Sequence, residues 1–226
     1  MLLVLVLIVS GCGLWAKRPD RAKATPETLY RSGKEAYQSG KYKKAIESFQ
    51  RLKEEYPLHQ MALLAEMGIA DSHFSDEDYS EAELSYNDFI NLHPTNENLP
   101  YAMYQLGMCH YNQILSVDRD QSETRKAGKE FEKVIARYPN SKFSFLAENM
   151  LRKCRQTLAE HEFYVGHFYF KRKFYKAALK RFEGISKDYA GVGLDYKVGF
   201  FTAETKKLLA EAEARKASAK AKKKSS

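Results

Sequence analysis

Small residues, an aromatic and a proline recur along this chain at a fixed interval, and a period of that kind admits few folds. Gly33, Ala45, Phe49, Leu52 and Pro57 return 37 residues later as Ala70, Ala82, Tyr86, Phe89 and Pro94. A third copy, Gly107, Ala127, Phe131, Val134 and Pro139, carries eight extra residues between its first two anchors. The fourth is Gly166, Ala178, Phe182, Ile185 and Ala190, and Ala203 opens a fifth unit that lacks its second half. The spacing has a mechanical cause. A small residue on each of two antiparallel helices lets their axes approach, and an aromatic with an apolar residue three positions on fills the seam. A proline then stops the second helix.

A turn carrying an aromatic stands ahead of three of the second helices: Gly40-Lys41-Tyr42, Glu77-Asp78-Tyr79 and Lys173-Phe174-Tyr175. Together these features resemble tetratricopeptide repeats and predict an all-α, helix–turn–helix solenoid of about five repeats, the last incomplete. Between Pro139 and Gly166 the chain holds 14 more residues than the matching intervals, and Ser141 to Lys171 contains no proline and no glycine but Gly166. One long helix, about 20 Å longer than its counterparts, is predicted there. It links an amino-terminal block of three repeats, residues 27–140, to a carboxy-terminal block, residues 141–214. Ser116 to Gln121 form a polar insert within the third unit.

Leu2 to Val9 are an unbroken aliphatic run followed by Ser10-Gly11-Cys12. Eight apolar residues fall far short of the ~20 that span a bilayer but match a signal peptide. The run resembles a lipobox, which implies cleavage of residues 1–11 and a covalent lipid on Cys12. Each buried methylene adds ~0.8 kcal/mol of membrane affinity, so several acyl chains anchor firmly. Gly13 rather than aspartate after the cysteine implies, by the sorting rules of such lipoproteins, the outer membrane. Residues 12–26 read as the lipidated cysteine and a flexible tether.

The formal charge of +8 invites a nucleic-acid reading until its distribution is considered. Residues 215–226 carry +6 and the segment through Lys23 carries +3, which leaves −1 for residues 24–214. A neutral body with a basic, disordered tail at 215–226 excludes a nucleic-acid groove and leaves a salt-sensitive attraction to anionic lipid or an acidic partner. Cys109 and Cys154 lie in helical patterns with no CxxC or histidine at ligand spacing, and read as small buried thiols first and a disulfide second. There is no phosphate-cradling glycine loop, nucleophile elbow or His-Glu-x-x-His, and His161 and His167 point apart on a helix. Glu160-His161-Glu162 reads as a solvated helix face. His73 and His110 share a repeat position and read as packing or hydrogen-bonding groups. No enzyme, metal or cofactor is therefore expected beyond the lipid on Cys12.

The inner wall of stacked repeats comes from the first helix of each unit. One turn after each anchor stands an aromatic: Tyr37, Phe74, Tyr111 and Phe170. Because they share a face with the buried anchor, they read first as packing against the neighbouring unit and second as lining of a peptide groove. Lys34, Gln38, Asp71 and Asn112 flank them and are the better candidates for direct contact.

Several runs go beyond what repeat scaffolds share: the lipobox ending at Cys12, His93-Pro94-Thr95 with Tyr101, Met103, Tyr104 and Gly107, and the insert Asp118-Arg119-Asp120-Gln121. Arg137-Tyr138-Pro139-Asn140-Ser141, Leu158-Ala159-Glu160 with Glu162-Phe163 and Val165, and Arg181 followed by Glu183-Gly184 complete the set. On these residues the chain resembles the BamD/ComL family of outer-membrane assembly lipoproteins, components of the β-barrel assembly machine, over nearly the whole chain after Cys12 to about residue 190. The resemblance implies a non-catalytic scaffold, lipid-anchored on the periplasmic face of the outer membrane. Its carboxy-terminal block would dock the barrel-forming subunit, and its amino-terminal block would meet unfolded outer-membrane protein precursors. Arg181 matches a family docking arginine, with Glu183 beside it, and a guanidinium suits bidentate pairing with a carboxylate. After residue 190 the chain departs from the family, because the fifth unit stops after one helix and gives way to lysines. A rival reading is a periplasmic repeat lipoprotein that gathers cell-wall or envelope-maintenance enzymes; the insert and the long helix favour assembly.

Overall fold

In the computed structural model, which describes residues 23–224, the period becomes four helical hairpins and a final single helix. The proposed signal segment 1–11, Cys12 and the tether as far as residue 22 lie outside the described residues. The first pair is α1 (Pro26–Gln38) and α2 (Tyr42–Glu55), the second α3 (Gln60–Ser75) and α4 (Tyr79–Leu92). The third is α5 (Leu99–Tyr111) and α6 (Ser122–Arg137), the fourth α7 (Lys142–Lys171) and α8 (Tyr175–Asp188), and α9 (Asp195–Lys224) stands last. Each helix packs against the next in sequence, and α1 also meets α3 as α5 meets α7.

Local chemistry sets the boundaries. Thr25 caps α1 by accepting from the Thr28 N–H, with Pro26 in the first turn, where its missing N–H costs nothing. Pro57, Pro94 and Pro139 each follow the last residue of α2, α4 and α6 by two positions. The three aromatic turns share one geometry. Gly40, Glu77 and Lys173 adopt left-handed φ of 69°, 61° and 62°. The next N–H in each case reaches back five residues, to the carbonyls of Ala36, His73 and Tyr169. These are αL helix ends, which favour glycine and here hold two charged residues instead.

The anchors work through one contact. A Cβ added to Gly33 would lie 2.5 Å from the Phe49 ring, and one on Gly107 or Gly166 would lie 2.6 or 2.7 Å from the rings of Phe131 and Phe182. The aromatic of the second helix therefore presses one ring edge onto the bare backbone of the first. In the first unit the opposite edge of Phe49 meets Gly68 of α3, where a Cβ would lie 2.6 Å away. The ring is clasped between two glycines from successive repeats, a second contact that the repeat spacing did not disclose.

α7 runs 30 residues, the predicted long helix, and serves two cores. Its first half places Ala147 and Cys154 with Met103, Phe131 and Val134. Its second half places Ala159 and Phe163 with Phe182, Ile185 and Val198 of α9. The boundary at 140/141 is thus no break in packing, because the third repeat's core closes on the helix that begins the next block.

Two expectations need correction. Residues 215–224 are not a disordered tail but the continuation of α9. Alanine and lysine are strong helix formers and no glycine or proline follows Gly199, so the helix begun at Asp195 propagates despite the charge. Glu160-His161-Glu162 is not a solvated face, since all three residues are half-buried. His161 Nδ1–H donates to the Val117 carbonyl at 2.7 Å and pins the insert, and Glu162 accepts from Arg181. The insert is further folded by buried Gln121, which donates to the Ser116 and Arg119 carbonyls and accepts from Thr124.

Candidate functional site

The first helices of the amino-terminal block line a common groove of about 300 Å³. α1 contributes Tyr30, Lys34 and Tyr37, α3 contributes Leu63, Leu64, Met67, Gly68 and Asp71, and Tyr101 of α5 closes it with Asn98. Of the sequence candidates, Lys34, Tyr37 and Asp71 meet here. Gln38 and Asn112 stand exposed at helix ends, away from the groove lining. Phe74 packs edge-on against Tyr79 with ring centres 5.4 Å apart, and Tyr111 sits in the seam of the third core. Tyr37 and Phe170 repeat the Phe74 contact, against Tyr42 and Tyr175. Tyr37 and Phe74 thus pack against the turn aromatic of their own unit, whereas Phe170 also meets Phe201 of α9, the next unit, with ring centres 5.4 Å apart. Tyr37 also crosses to the next unit through its hydroxyl, 2.9 Å from Ser75 Oγ.

Asp71 is the chemical centre of the groove. Its Oδ1 accepts from Tyr86 at 2.6 Å and Tyr101 at 2.7 Å. Burial raises the carboxyl above its ordinary pKa, and the two hydroxyl donors only partly offset that. The same burial and the facing carboxylate push both tyrosines up, so they remain donors. Lys34 supplies an exposed cation to the same groove. The arrangement offers an apolar floor with one fixed acceptor and one mobile cation, which suits an extended chain presenting alternate apolar and polar groups. Tyr86 and Tyr101 were legible as a seam aromatic and a family residue, but their joint hold on Asp71 depends on three helices.

On the fourth repeat Arg181 Nη1 donates to Glu162 at 2.6 Å. Together with Lys180, Gly184, Asp188 and Tyr189 they line a second recess of about 350 Å³. One bond occupies one of the guanidinium's five donors, so most of its fork stays available. Glu183 is turned to α9 instead and pairs with Lys206 at 3.0 Å. Gly184 is the residue the sequence reading underrated: within 4 Å of a Cβ built on it there is nothing. On α9 the side away from α8 leaves Tyr196 90% and Phe200 59% exposed.

The remaining polar residues bind the scaffold. His110 is buried and hydrogen-bonds Glu123 at 2.8 Å with Glu83 at 3.8 Å, whereas His73 only faces Asp78 at 3.7 Å, beyond hydrogen-bond reach. Burial would raise Glu123, but hydrogen bonds from Lys126 and His110 hold it below its usual value. His93 meets Glu66 at 2.6 Å, and Arg137 donates to the Pro94 carbonyl, so two of the family-like runs touch each other. Cys109 and Cys154 are free and buried, and desolvation pushes both thiols up to about 12. Among the described residues no group of histidine, cysteine and carboxylate side chains is placed to hold a metal. No described helix is long and apolar enough to cross a membrane.

Comparison with known proteins agrees with the sequence runs. An outer membrane protein assembly factor BamD from Rickettsia prowazekii is 36% identical over 189 residues, covering 83% of this chain and 74% of the relative. Its counterpart from Vibrio cholerae is 26% identical over 198 residues, covering 83% and 81%. Among solved structures, the TPR2AB domain of yeast Sti1 aligns with a TM-score of 0.48 at 16% identity, over 81% of this chain and 70% of that one. The family model YfiO, described as outer membrane lipoprotein, matches residues 22–221, nearly all of the described chain. The chain belongs to this YfiO family of outer-membrane lipoproteins.

Proposed function

We propose that this chain is a non-catalytic scaffold for the assembly of β-barrel proteins into the outer membrane, a reading supported by relatives named outer membrane protein assembly factors. A lipid on Cys12 tethers it at the periplasmic face. The recess at Arg181 and the uncovered side of α9 dock the barrel-forming subunit. The groove at Lys34, Tyr37 and Asp71 receives unfolded precursors.

Gly184 carries the docking reading. A glycine inside a helix costs roughly 0.5–1 kcal/mol relative to alanine, and no contact among the described residues requires one here. A bare patch of backbone beside an arginine with free donors gives a second polypeptide room to approach α8 closely. The anchors Gly33, Gly107 and Gly166 show what such a patch does inside the chain, since each receives a ring.

Arg181→Glu and Gly184→Leu should each reduce recovery of the barrel subunit from detergent-solubilised membranes by more than about tenfold, with circular dichroism unchanged. A charge reversal at a guanidinium pair and a side chain filling the approach act by separate routes. Equal recovery with both variants would remove this surface from the docking assignment. Cys12→Ala should move the chain into the soluble periplasmic fraction; unchanged retention would refute the lipid as its main tether.

A further inference from the structure

The three aromatic turns are mechanically alike, but the second and third that carry this geometry are opposite in charge. The α3–α4 turn is Asp76-Glu77-Asp78, whereas α7 ends in Lys171-Arg172-Lys173, all three exposed, before Phe174 and α8. Exposed aromatics accompany these cations. Phe174 is 59% exposed, and Phe168 lies under the Arg172 guanidinium, 5.2 Å from its ring centre. The end of α9 comes to the same place. Lys176 pairs with Glu213 at 3.0 Å, and Lys173, Phe174 and Lys176 share a recess with Leu209 and Lys216. Glu213 is the last acid in the chain. Beyond Lys216 the helix continues for eight residues, about 12 Å, past exposed Lys220.

From this juxtaposition we infer that the α7–α8 turn and the basic last turns of α9 form one cationic, aromatic-floored surface that rests on anionic phospholipid headgroups. Three observations favour that occupant over a solvated tail. The lysines continue an ordered helix and converge with a basic turn from another element. Phe168 and Phe174 stand about half exposed at their base, where amphipathic contact with a bilayer interface would cover the ring surface that remains open. The family is one of outer-membrane lipoproteins, so the chain works beside a phosphate surface of complementary charge. Each cation held near such a surface strengthens attachment, and the attraction decays within a Debye length. The contact is independent of the barrel-assembly reading and orients the fourth repeat relative to the membrane rather than supplying the main tether.

The test uses the full chain carrying Cys12→Ala, so that no acyl lipid masks the contact. Co-sedimentation with vesicles of phosphatidylethanolamine and phosphatidylglycerol at 50 mM salt should exceed that with phosphatidylcholine vesicles by more than about tenfold. Binding should vanish near 0.5 M salt, where screening shortens to roughly 4 Å. The combined Lys173→Glu, Lys216→Glu and Lys220→Glu variant should lose about 100-fold in affinity with unchanged helical content. Phe174→Ser should weaken the binding that remains at intermediate salt. Equal sedimentation with neutral vesicles overturns the inference, as does a triple variant that binds normally. It is overturned too if the triple variant keeps vesicle binding but loses an acidic protein or cell-wall fragments in a pull-down.

Discussion

Helices α3 to α6 lie between neighbours, whereas α9 rests on α8 and the second half of α7 with Tyr196 and Phe200 exposed on its other side. The seam is the same in both regions, an aromatic on a glycine backbone. Their polar groups differ. In the amino-terminal block Asp71 is held by hydroxyls from two other helices. In the carboxy-terminal block Arg181 has one carboxylate, and Tyr196 and Phe200 of α9 stay exposed. A solenoid interior satisfies its own groups and builds a shaped groove, while its end leaves rings and donors for other molecules.

The largest test of this contrast is removal of the seam ring. Phe131→Ala and Phe182→Ala should each cost about 3–5 kcal/mol in urea unfolding, both rings being fully buried. Hydrogen exchange should separate them, with Phe182→Ala releasing α8 and α9 while α1 to α4 keep their protection. Uniform acceleration along the chain would mean that the two blocks unfold as one and the comparison fails.

Asp71→Ala should cost about 2–3 kcal/mol, because it strands two tyrosine hydroxyls, while Asp71→Asn keeps an acceptor and costs less. The pH dependence has a definite sign. The folded state holds Asp71 above its unfolded value, so ionisation favours unfolding, and stability should rise as pH falls through the folded pKa toward the ordinary carboxylate range. Asp71→Asn should abolish that rise. Gly33→Ala should cost about 1–3 kcal/mol by thermal unfolding, since Phe49 is clasped from its other side by Gly68 and has nowhere to retreat.

The smallest expected effect compares the turns. Glu77→Gly and Lys173→Gly should each stabilise by about 0.5 kcal/mol, relief of a left-handed residue being partly offset by glycine's backbone entropy. Matching gains would show the turns to be mechanically equal. A gain at Glu77 alone would mark the fourth-repeat turn as different in packing as well as charge.

The repeat anchors, the helix-stopping prolines and the long α7 were readable because each rests on short-range spacing. Half of the groove was readable too: Lys34, Tyr37 and Asp71 stand at related repeat positions. Gln38 and Asn112 fell outside it because a residue at a helix end follows the local path of the chain rather than the face of the stack. Gly68 escaped notice because its partner, Phe49, belongs to the preceding unit. His161 looked solvated because the carbonyl it donates to is 44 residues away.

The amino-acid order alone determined the helix–turn–helix unit, its register and its number of copies, since small residues, rings and prolines at set offsets act within a few turns of backbone. Tertiary structure decided which polar groups are spent inside the scaffold and which remain outside, that is, Asp71 under two tyrosines, Glu183 on α9, and Arg181 beside the bare backbone of Gly184. Those outcomes depend on distances between separate helices. Such distances follow from how whole units stack, and neighbouring residues do not encode them.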